Sequence, residues 1–382
     1  MLTVGLVAGE SSGDLLGAGL VGALRARRAD IRCIGVGGPA MAGAGVELIA
    51  SYDRLAVTGL AEVLRHLPAL LRFRRRLRRE FLRLRPDVFV GIDSPDFNLG
   101  LETRLRRHGI RTVHYVSPSI WAWRAGRIRT VERAVDRVLT LLPFEKPLYD
   151  KAGVDAVFVG HPLVDEIGSV PELAEARRRL GLPAERKLLA LMPGSRRNEL
   201  ERLAPVFLET ASRLAARHPK LGFVAPMAGQ ELAAQFAALR DNLAPRLDVS
   251  VCIGRSREAM AAADAVLLAS GTAALEAMLL KRPMAVAYKL APLSRAIIGG
   301  FNLLKIEHVS LPNLLARREV VPEFLQERAR PDLLAPAVDD LLFDAATRGR
   351  QLSAFDALAA ELGRNASARA AEAVLEVTGD GS

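Results

Sequence analysis

The stretch Thr3-Val4-Gly5-Leu6-Val7-Ala8-Gly9-Glu10-Ser11-Ser12-Gly13-Asp14 runs from a buried apolar strand through a glycine-serine turn into a helix expected over Asp14–Arg25. The same grammar returns at Lys187-Leu188-Leu189-Ala190-Leu191-Met192-Pro193-Gly194-Ser195-Arg196, ahead of a helical run over Leu200–Ala216. Such a turn leaves backbone N–H groups at a helix N-terminus, where they can hold an anion. It also falls at the carboxyl end of a strand, where open α/β sheets bind ligands.

Working outward, the first turn is followed by strand patterns at Ile31–Val36, Val88–Ile92, Arg111–Val116, Arg137–Leu142 and Ala156–Val159. The second is followed by Gly222–Pro226, Val249–Ile253, Ala265–Leu268 and Met284–Tyr288. Strands that alternate with helices imply parallel sheets covered on both faces. Two such series predict an α/β chain of two Rossmann-like, doubly wound halves joined near Pro162–Pro171. The expected boundaries are 1–165, 166–345 and a helical tail 346–382 that packs back on the first half, the tail being alanine-rich over Gln351–Val377.

Bulk properties fit this division. A chain of 382 residues is too long for one ordinary core. Half of it is hydrophobic and a quarter charged, which is a globular composition. Cys33 and Cys252 form no ligand pattern, so a reducing compartment is expected, without a disulfide framework or structural zinc. No basic leader precedes Glu10 and Asp14, which argues against a signal peptide. No uncharged apolar run reaches the ~20 residues of a spanning helix.

The net charge of +10 points to a polyanion, an anionic membrane surface or phosphorylated substrates. Arg72, Arg74, Arg75, Arg76, Arg78, Arg79, Arg83 and Arg85 crowd one segment, interleaved with Leu67, Leu70, Leu71, Phe73, Leu77, Phe81, Leu82 and Leu84. A basic amphipathic helix of this kind lies on anionic lipid, or else is an exposed helix whose apolar stripe faces the core.

One literal motif misleads. Gly17-Ala18-Gly19-Leu20-Val21-Gly22 spells a dinucleotide fingerprint but lies inside a helix, so it is read as close helix packing. No Walker A sequence is present. Ser270-Gly271-Thr272 follows the strand Ala265–Leu268 and offers hydroxyls and N–H groups to a phosphate. Glu276, one helical turn beyond Thr272, can accept hydrogen bonds from a ribose diol. The alternative is an ordinary helix cap with a surface charge. The turn Gly194-Ser195-Arg196 in the same half favours a shared diphosphate site.

Asp93 ends the strand Val88–Ile92, where a general base is well placed, while Asp96 and Asn98 can instead cap the next helix. Ser117, Trp121 and Trp123 fall in the run His114-Tyr115-Val116-Ser117-Pro118-Ser119-Ile120-Trp121-Ala122-Trp123-Arg124. Aromatic faces there suit sugar rings, acyl chains or plain packing. His161 near the join is a cleft residue or a structural histidine. The histidines show no metal-ligand spacing.

The segments AGESSGD (Ala8–Asp14), VGIDSPDFN (Val90–Asn98), HYVSPSIWAWR (His114–Arg124), LPFEKPLYD (Leu142–Asp150), Gly160-His161, PGSR (Pro193–Arg196), ASGTAALE (Ala269–Glu276) and VSLPNLLA (Val309–Ala316) occur in this order. Together they closely resemble the lipid A disaccharide synthases, bacterial glycosyltransferases of the GT-B type. The resemblance implies two Rossmann domains facing a cleft, with a UDP-sugar on the C-terminal one. It implies transfer of 2,3-diacylglucosamine from UDP to the 6-hydroxyl of 2,3-diacylglucosamine 1-phosphate, with inversion, giving a β-1,6 disaccharide and UDP. It also implies a cytoplasmic protein peripheral on the anionic inner membrane. Ala291–Lys305 is apolar and partly basic, and more variable than the rest.

In that frame Asp93 is the expected base, with Glu10 holding a hydroxyl or assisting it. Arg196 and the N–H groups around Ser195 and Gly271 take the developing charge of UDP. Ser12, Asn98, Ser117, Trp121, Trp123, His161, Gly194, Ser195, Ser270, Gly271, Thr272, Glu276 and Asn313 are the expected substrate contacts. No cofactor is expected, and without a carboxylate pair for a metal, turnover is expected to be metal-independent. A homodimer is left open. Rival readings are another GT-B transferase or a UDP-sugar epimerase, which share the nucleotide site, and a non-enzymatic polyanion binder. No nucleic-acid recognition signature supports the last.

Overall fold

The computed structural model describes residues 1–55, 60–118, 120, 127–290 and 307–379, with side chains of the helix Leu60–Leu84 from residue 67 onward. Trp121, Trp123 and all of Ala291–Lys305 lie outside the described residues, as Ser119 does. The chain divides into two compact units, residues 1–165 together with 361–382, and residues 166–360.

In the first unit, β1 (Leu2–Ala8), β2 (Ile31–Gly37), β3 (Glu47–Ser51), β4 (Val88–Ile92), β5 (Arg111–Tyr115), β6 (Arg137–Thr140) and β7 (Ala156–Phe158) form one parallel sheet. Its order is β3-β2-β1-β4-β5-β6-β7. The order reverses between β1 and β4, the position at which such sheets open a ligand crevice. Every residue of β4 is buried, as an apolar strand covered on both faces must be. β3 was not anticipated. It is a partly exposed edge strand with a register shift at Gly35/Val36, and so lacks a continuous apolar run.

The first helix spans Ser11–Arg27, starting earlier than expected because the Asp14 N–H already bonds Glu10 O at 3.0 Å. The packing reading of its glycines holds for two of them. A Cβ on Gly17 would lie 2.6 Å from Met41 Sδ, and one on Gly19 would lie 2.7 Å from Ser367 Oγ. Gly22 has open space.

The arginine-rich helix Leu60–Leu84 turns Phe73, Leu77 and Phe81 into a core with Phe89, Leu101 and Leu105. The spacing of four places them on one stripe. Arg72, Arg75, Arg76, Arg79 and Arg83 face outward. Along this stretch the apolar stripe belongs to the unit's own core, and only the basic face is free. Among the described residues no helix is long and apolar enough to cross a membrane.

The tail forms two helices, Ala345–Leu362 and Ala366–Thr378. Asp165 Oδ2 accepts the Ala366 N–H at 2.7 Å, and Arg137 Nη1 donates to Ala373 O at 3.0 Å.

In the second unit, β8 (Leu188–Met192), β9 (Gly222–Met227), β10 (Val249–Ile253), β11 (Ala265–Ala269), β12 (Met284–Tyr288) and β13 (Glu323–Leu325) make a parallel sheet in the order β10-β9-β8-β11-β12-β13. Its order reverses between β8 and β11, the two strands that carry the expected phosphate turns. β13 was missed, being a three-residue edge strand. Arg177, almost fully buried, bonds Ala262 O, Ala184 O and Asp264 Oδ2 and so fixes the helix Leu173–Leu180 to the strand bases.

Candidate active site

In the first unit the sheet register builds the site. Ala8 pairs with Ile92, so Glu10 and Asp93 leave adjacent strand ends together. Asp93 has φ +51° and Ser94 φ +43°, and Val116, just past β5, has φ +81°. A branched residue at positive φ is uncommon and strained, and such strain gathers at functional sites. The ladder enforces it: Asp93 N–H donates to Tyr115 O at 2.8 Å and Val116 N–H to Leu139 O at 3.0 Å. Burial pushes the Asp93 carboxyl above the ordinary aspartate range. The Glu10 carboxylate beside it acts in the same direction, against the Ser94 N–H and the His114 imidazole. Ser12 Oγ donates to Glu10 Oε1 at 2.7 Å and orients it.

Other expected contacts have structural employment. Asn98 is fully buried, and its Nδ2 donates to Val7 O, Ile92 O and Asp93 O at 3.2, 3.3 and 2.8 Å. It latches β1 to β4 and does not cap the helix, and its buried Oδ1 has no hydrogen-bond partner among the described residues. Asp96 does not cap the helix Pro95–Arg106 either. It lies in the first turn and pairs with Arg127. Ser117 Oγ shares a hydrogen bond of 2.9 Å with the Tyr149 hydroxyl in a buried position. His161 Nδ1 accepts the Leu163 N–H at 3.2 Å, and burial lowers the ring's pKa to about 4, so it stays neutral.

The second unit gathers the expected donor residues around one cavity of about 570 Å³, a size typical of small-molecule sites. Gly194, Ser195 and Arg196 come from the end of β8, and Ser270, Gly271, Thr272 and Glu276 from the end of β11. Leu268 pairs with Met192, so the two turns emerge side by side. The helix Thr272–Leu279 aims its N-terminus at this space. Ser270 Oγ donates to Val309 O at 3.1 Å, which ties the turn to the segment that follows residue 306.

Asn313 belongs to the scaffold of that segment. Its Nδ2 donates to Val321 O and Glu323 Oε1, both at 2.8 Å. Its Oδ1 accepts from Val320 N and Val321 N at 2.7 and 2.9 Å. An amide offers two donors and two lone pairs, and all are engaged here, so the substrate contact expected of Asn313 requires that one of these bonds be exchanged. Glu323 also accepts from Val309 N, Ser310 N and Ser310 Oγ.

Sequence reasoning missed several residues. Glu199 lines the cavity; its Oε2 accepts the Ser195 N–H at 3.1 Å and its Oε1 meets Arg196 Nη1 at 3.2 Å. No capping-box pattern announces it, because the N-cap of the following helix is Arg196 and Glu199 bonds the residue before it. Glu102 and His114 form a fully buried pair, Oε1 to Nδ1 at 2.8 Å, with no hydrogen-bond partner at Glu102 Oε2 or His114 Nε2 among the described residues. Burial pushes the Glu102 carboxyl up, and His114 opposes it. No local pattern announces a pair made by a helix and a strand.

A family model described as lipid-A-disaccharide synthetase matches residues 4–377. The lipid-A-disaccharide synthase of Azotobacter vinelandii is 52% identical over 378 residues, 99% of this chain and 98% of that protein. That of Pseudomonas aeruginosa is 51% identical over 376 residues, 98% of each. The chain belongs to the lipid-A-disaccharide synthase family. Solved structures of other families share its fold. The UDP-GlcNAc 2-epimerase of Neisseria meningitidis bound to UDP-GlcNAc superposes with a TM-score of 0.65 at 11% identity, covering 98% of this chain and 99% of that one. The calicheamicin glycosyltransferase CalG4 does so with a TM-score of 0.60 at 17% identity, covering 99% and 98%. This synthase family member therefore has the paired Rossmann-like architecture of the GT-B class, as its sequence led one to expect.

Proposed function

We propose that this chain transfers 2,3-diacylglucosamine from UDP to the 6-hydroxyl of 2,3-diacylglucosamine 1-phosphate, inverting the anomeric carbon and releasing UDP. Full-length membership of the synthase family carries the reading, and the geometry of both units supports it.

Asp93 is the base in this scheme. Its raised proton affinity suits a group that must take the proton of a hydroxyl as that oxygen bonds to the sugar carbon. Glu10, held by Ser12, orients the hydroxyl. On the donor side the diphosphate lies at the N-terminus of the helix Thr272–Leu279, with Glu276 one turn on for the ribose. Arg196 is largely exposed and bound only to Glu199 among the described contacts, a surface ion pair of small worth. It can exchange that partner for the leaving phosphate at little cost and neutralise the charge that develops there.

The outward arginines of the helix Leu60–Leu84 suit an anionic membrane surface, on which both acylated substrates reside. With Phe73, Leu77 and Phe81 turned inward, attachment there is electrostatic and sensitive to salt.

A transfer assay with acylated and deacylated donor and acceptor tests the proposal. Disaccharide 1-phosphate and UDP should form in equal amounts only when both acylated substrates are present. Interconversion of a UDP-sugar without acceptor would instead make the protein an epimerase.

A further inference from the structure

Glu276 does not stand alone in the cavity wall. Arg257 Nε donates to Glu276 Oε1 at 2.8 Å, and Arg257 Nη2 donates to Glu166 Oε2 at 3.2 Å. The guanidinium thus bridges two carboxylates. Arg257 directly follows Ser256, which lines the cavity, in the helix Ser256–Ala262. Its position is therefore set by the backbone beyond β10, and that of Glu276 by the backbone beyond β11. Their ion pair joins two elements of the same site.

The pair contributes little to folding. Both side chains keep contact with solvent, at 43% for Arg257 and 18% for Glu276, and ion pairs of that kind are weak. Its consequences fall on the ligand. A glutamate on a helix has several free torsions, and fixing them during binding weakens the complex. Arg257 fixes them beforehand. It engages Oε1 and leaves Oε2 as the acceptor. It also offsets a negative charge one helical turn from the expected diphosphate, where an isolated carboxylate would repel the phosphates.

We infer that Arg257 is the positioning residue for nucleoside recognition, presenting Glu276 to the ribose diol so that the site prefers ribonucleoside over 2′-deoxyribonucleoside diphosphates. This rests on the reading of Glu276 as the ribose contact. The planar guanidinium presents separate, fixed N–H donors to Glu276 and Glu166, whereas a lysine would have to share one ammonium between them. Glu166 is a second brace: it holds the guanidinium through Nη2 while Nε engages Glu276.

The test is the ratio of the dissociation constants of 2′-deoxy-UDP and UDP for the full-length protein, measured by titration calorimetry. Both ligands carry the same diphosphate, so repulsion and loss of folded protein cancel in the ratio. The wild type should prefer UDP about five- to tenfold, the yield of one or two hydrogen bonds. Glu276→Gln and Arg257→Ala should each bring the ratio towards one, and Arg257→Lys should restore part of it. Combining Arg257→Ala with Glu276→Gln should lower it no further than Glu276→Gln alone. If Glu276→Gln shifts the ratio and Arg257→Ala does not, Arg257 is a surface partner only and the inference is overturned. If Glu276→Gln itself leaves the ratio unchanged, the ribose reading falls and this inference with it.

Discussion

Ser94 leaves no room for a side chain on Gly9: a Cβ there would lie 1.9 Å from Ser94 Oγ and 2.5 Å from Ser94 Cβ. The turn that carries Glu10 and the turn that carries Asp93 are thus pressed together, and the glycine sets their spacing.

Gly9→Ala should push the Ser94 turn away and displace Asp93. Turnover should fall on the order of 10²-fold, as misplacement by about an ångström does. Because Ser94 Cα is 4.0 Å from the same point, the double variant Gly9→Ala/Ser94→Gly has the space it needs. Steady-state rates of both proteins check this: recovery in the double variant is expected, and its absence would show that the clash is not the cause.

Asp93→Asn should lower turnover by about 10²- to 10⁴-fold, the range for loss of a general base. It should also make the protein more stable at neutral pH. The folded-state pKa of Asp93 is raised, so its stabilising contribution is present below the unfolded value and is lost as pH rises through the folded one. At neutral pH the ionised group opposes folding, and an amide removes that opposition. Thermal melts should show a higher Tm for Asp93→Asn at pH 7, with the gap closing on acidification. In the wild type, kcat/KM should decline on the acid side at a pH above the ordinary aspartate range.

Asn313→Ala should act on stability before it acts on binding. It leaves Val320 N, Val321 N and Glu323 short of partners in a buried place, at about 2–4 kcal/mol. Denaturant melts should show that loss, while the UDP dissociation constant of the folded fraction stays near the wild-type value. A large rise in that constant with an unchanged melt would return Asn313 to the substrate.

Glu102→Ala should destabilise the first unit by about 1–3 kcal/mol, because it leaves the fully buried His114 Nδ1 without its hydrogen-bond partner. Replacing both residues, as Glu102→Leu/His114→Leu, should recover much of that. The comparison of single and double variants by chemical denaturation separates a pair kept for its charge from one that packing can replace.

Much of this architecture was legible because parallel strands covered on both faces are unbroken apolar runs. β4 and β12 fall where their residues suggested. β3 and β13 escaped because an edge strand needs no such run. The donor cavity was readable for a related reason: a strand-end turn and the helix after it lie together in sequence, as in Gly194–Arg196 and Ser270–Glu276. What escaped was everything joined across distance. Arg257 and Glu276 are 19 residues apart, and no local pattern links them. Polar residues inside the matching motifs also carry internal bonds. Asn98, Ser117 and Asn313 resemble ligand contacts as letters, yet each is internally bonded, and burial is not visible in a motif.

The route of the backbone has a temporal consequence. The second unit is one continuous stretch, residues 166–360, whereas the first needs residues 361–382 as well. Ala370, Ala371 and Val374 of the final helix are fully buried, so that helix is part of the first unit's interior. During synthesis the half made first must wait for residues 361–382 to emerge, by which time the half made second has all of its chain. The order of manufacture and the order of completion are reversed, and a chain ended at residue 360 and released should expose the first unit to proteases and chaperones while protecting the second.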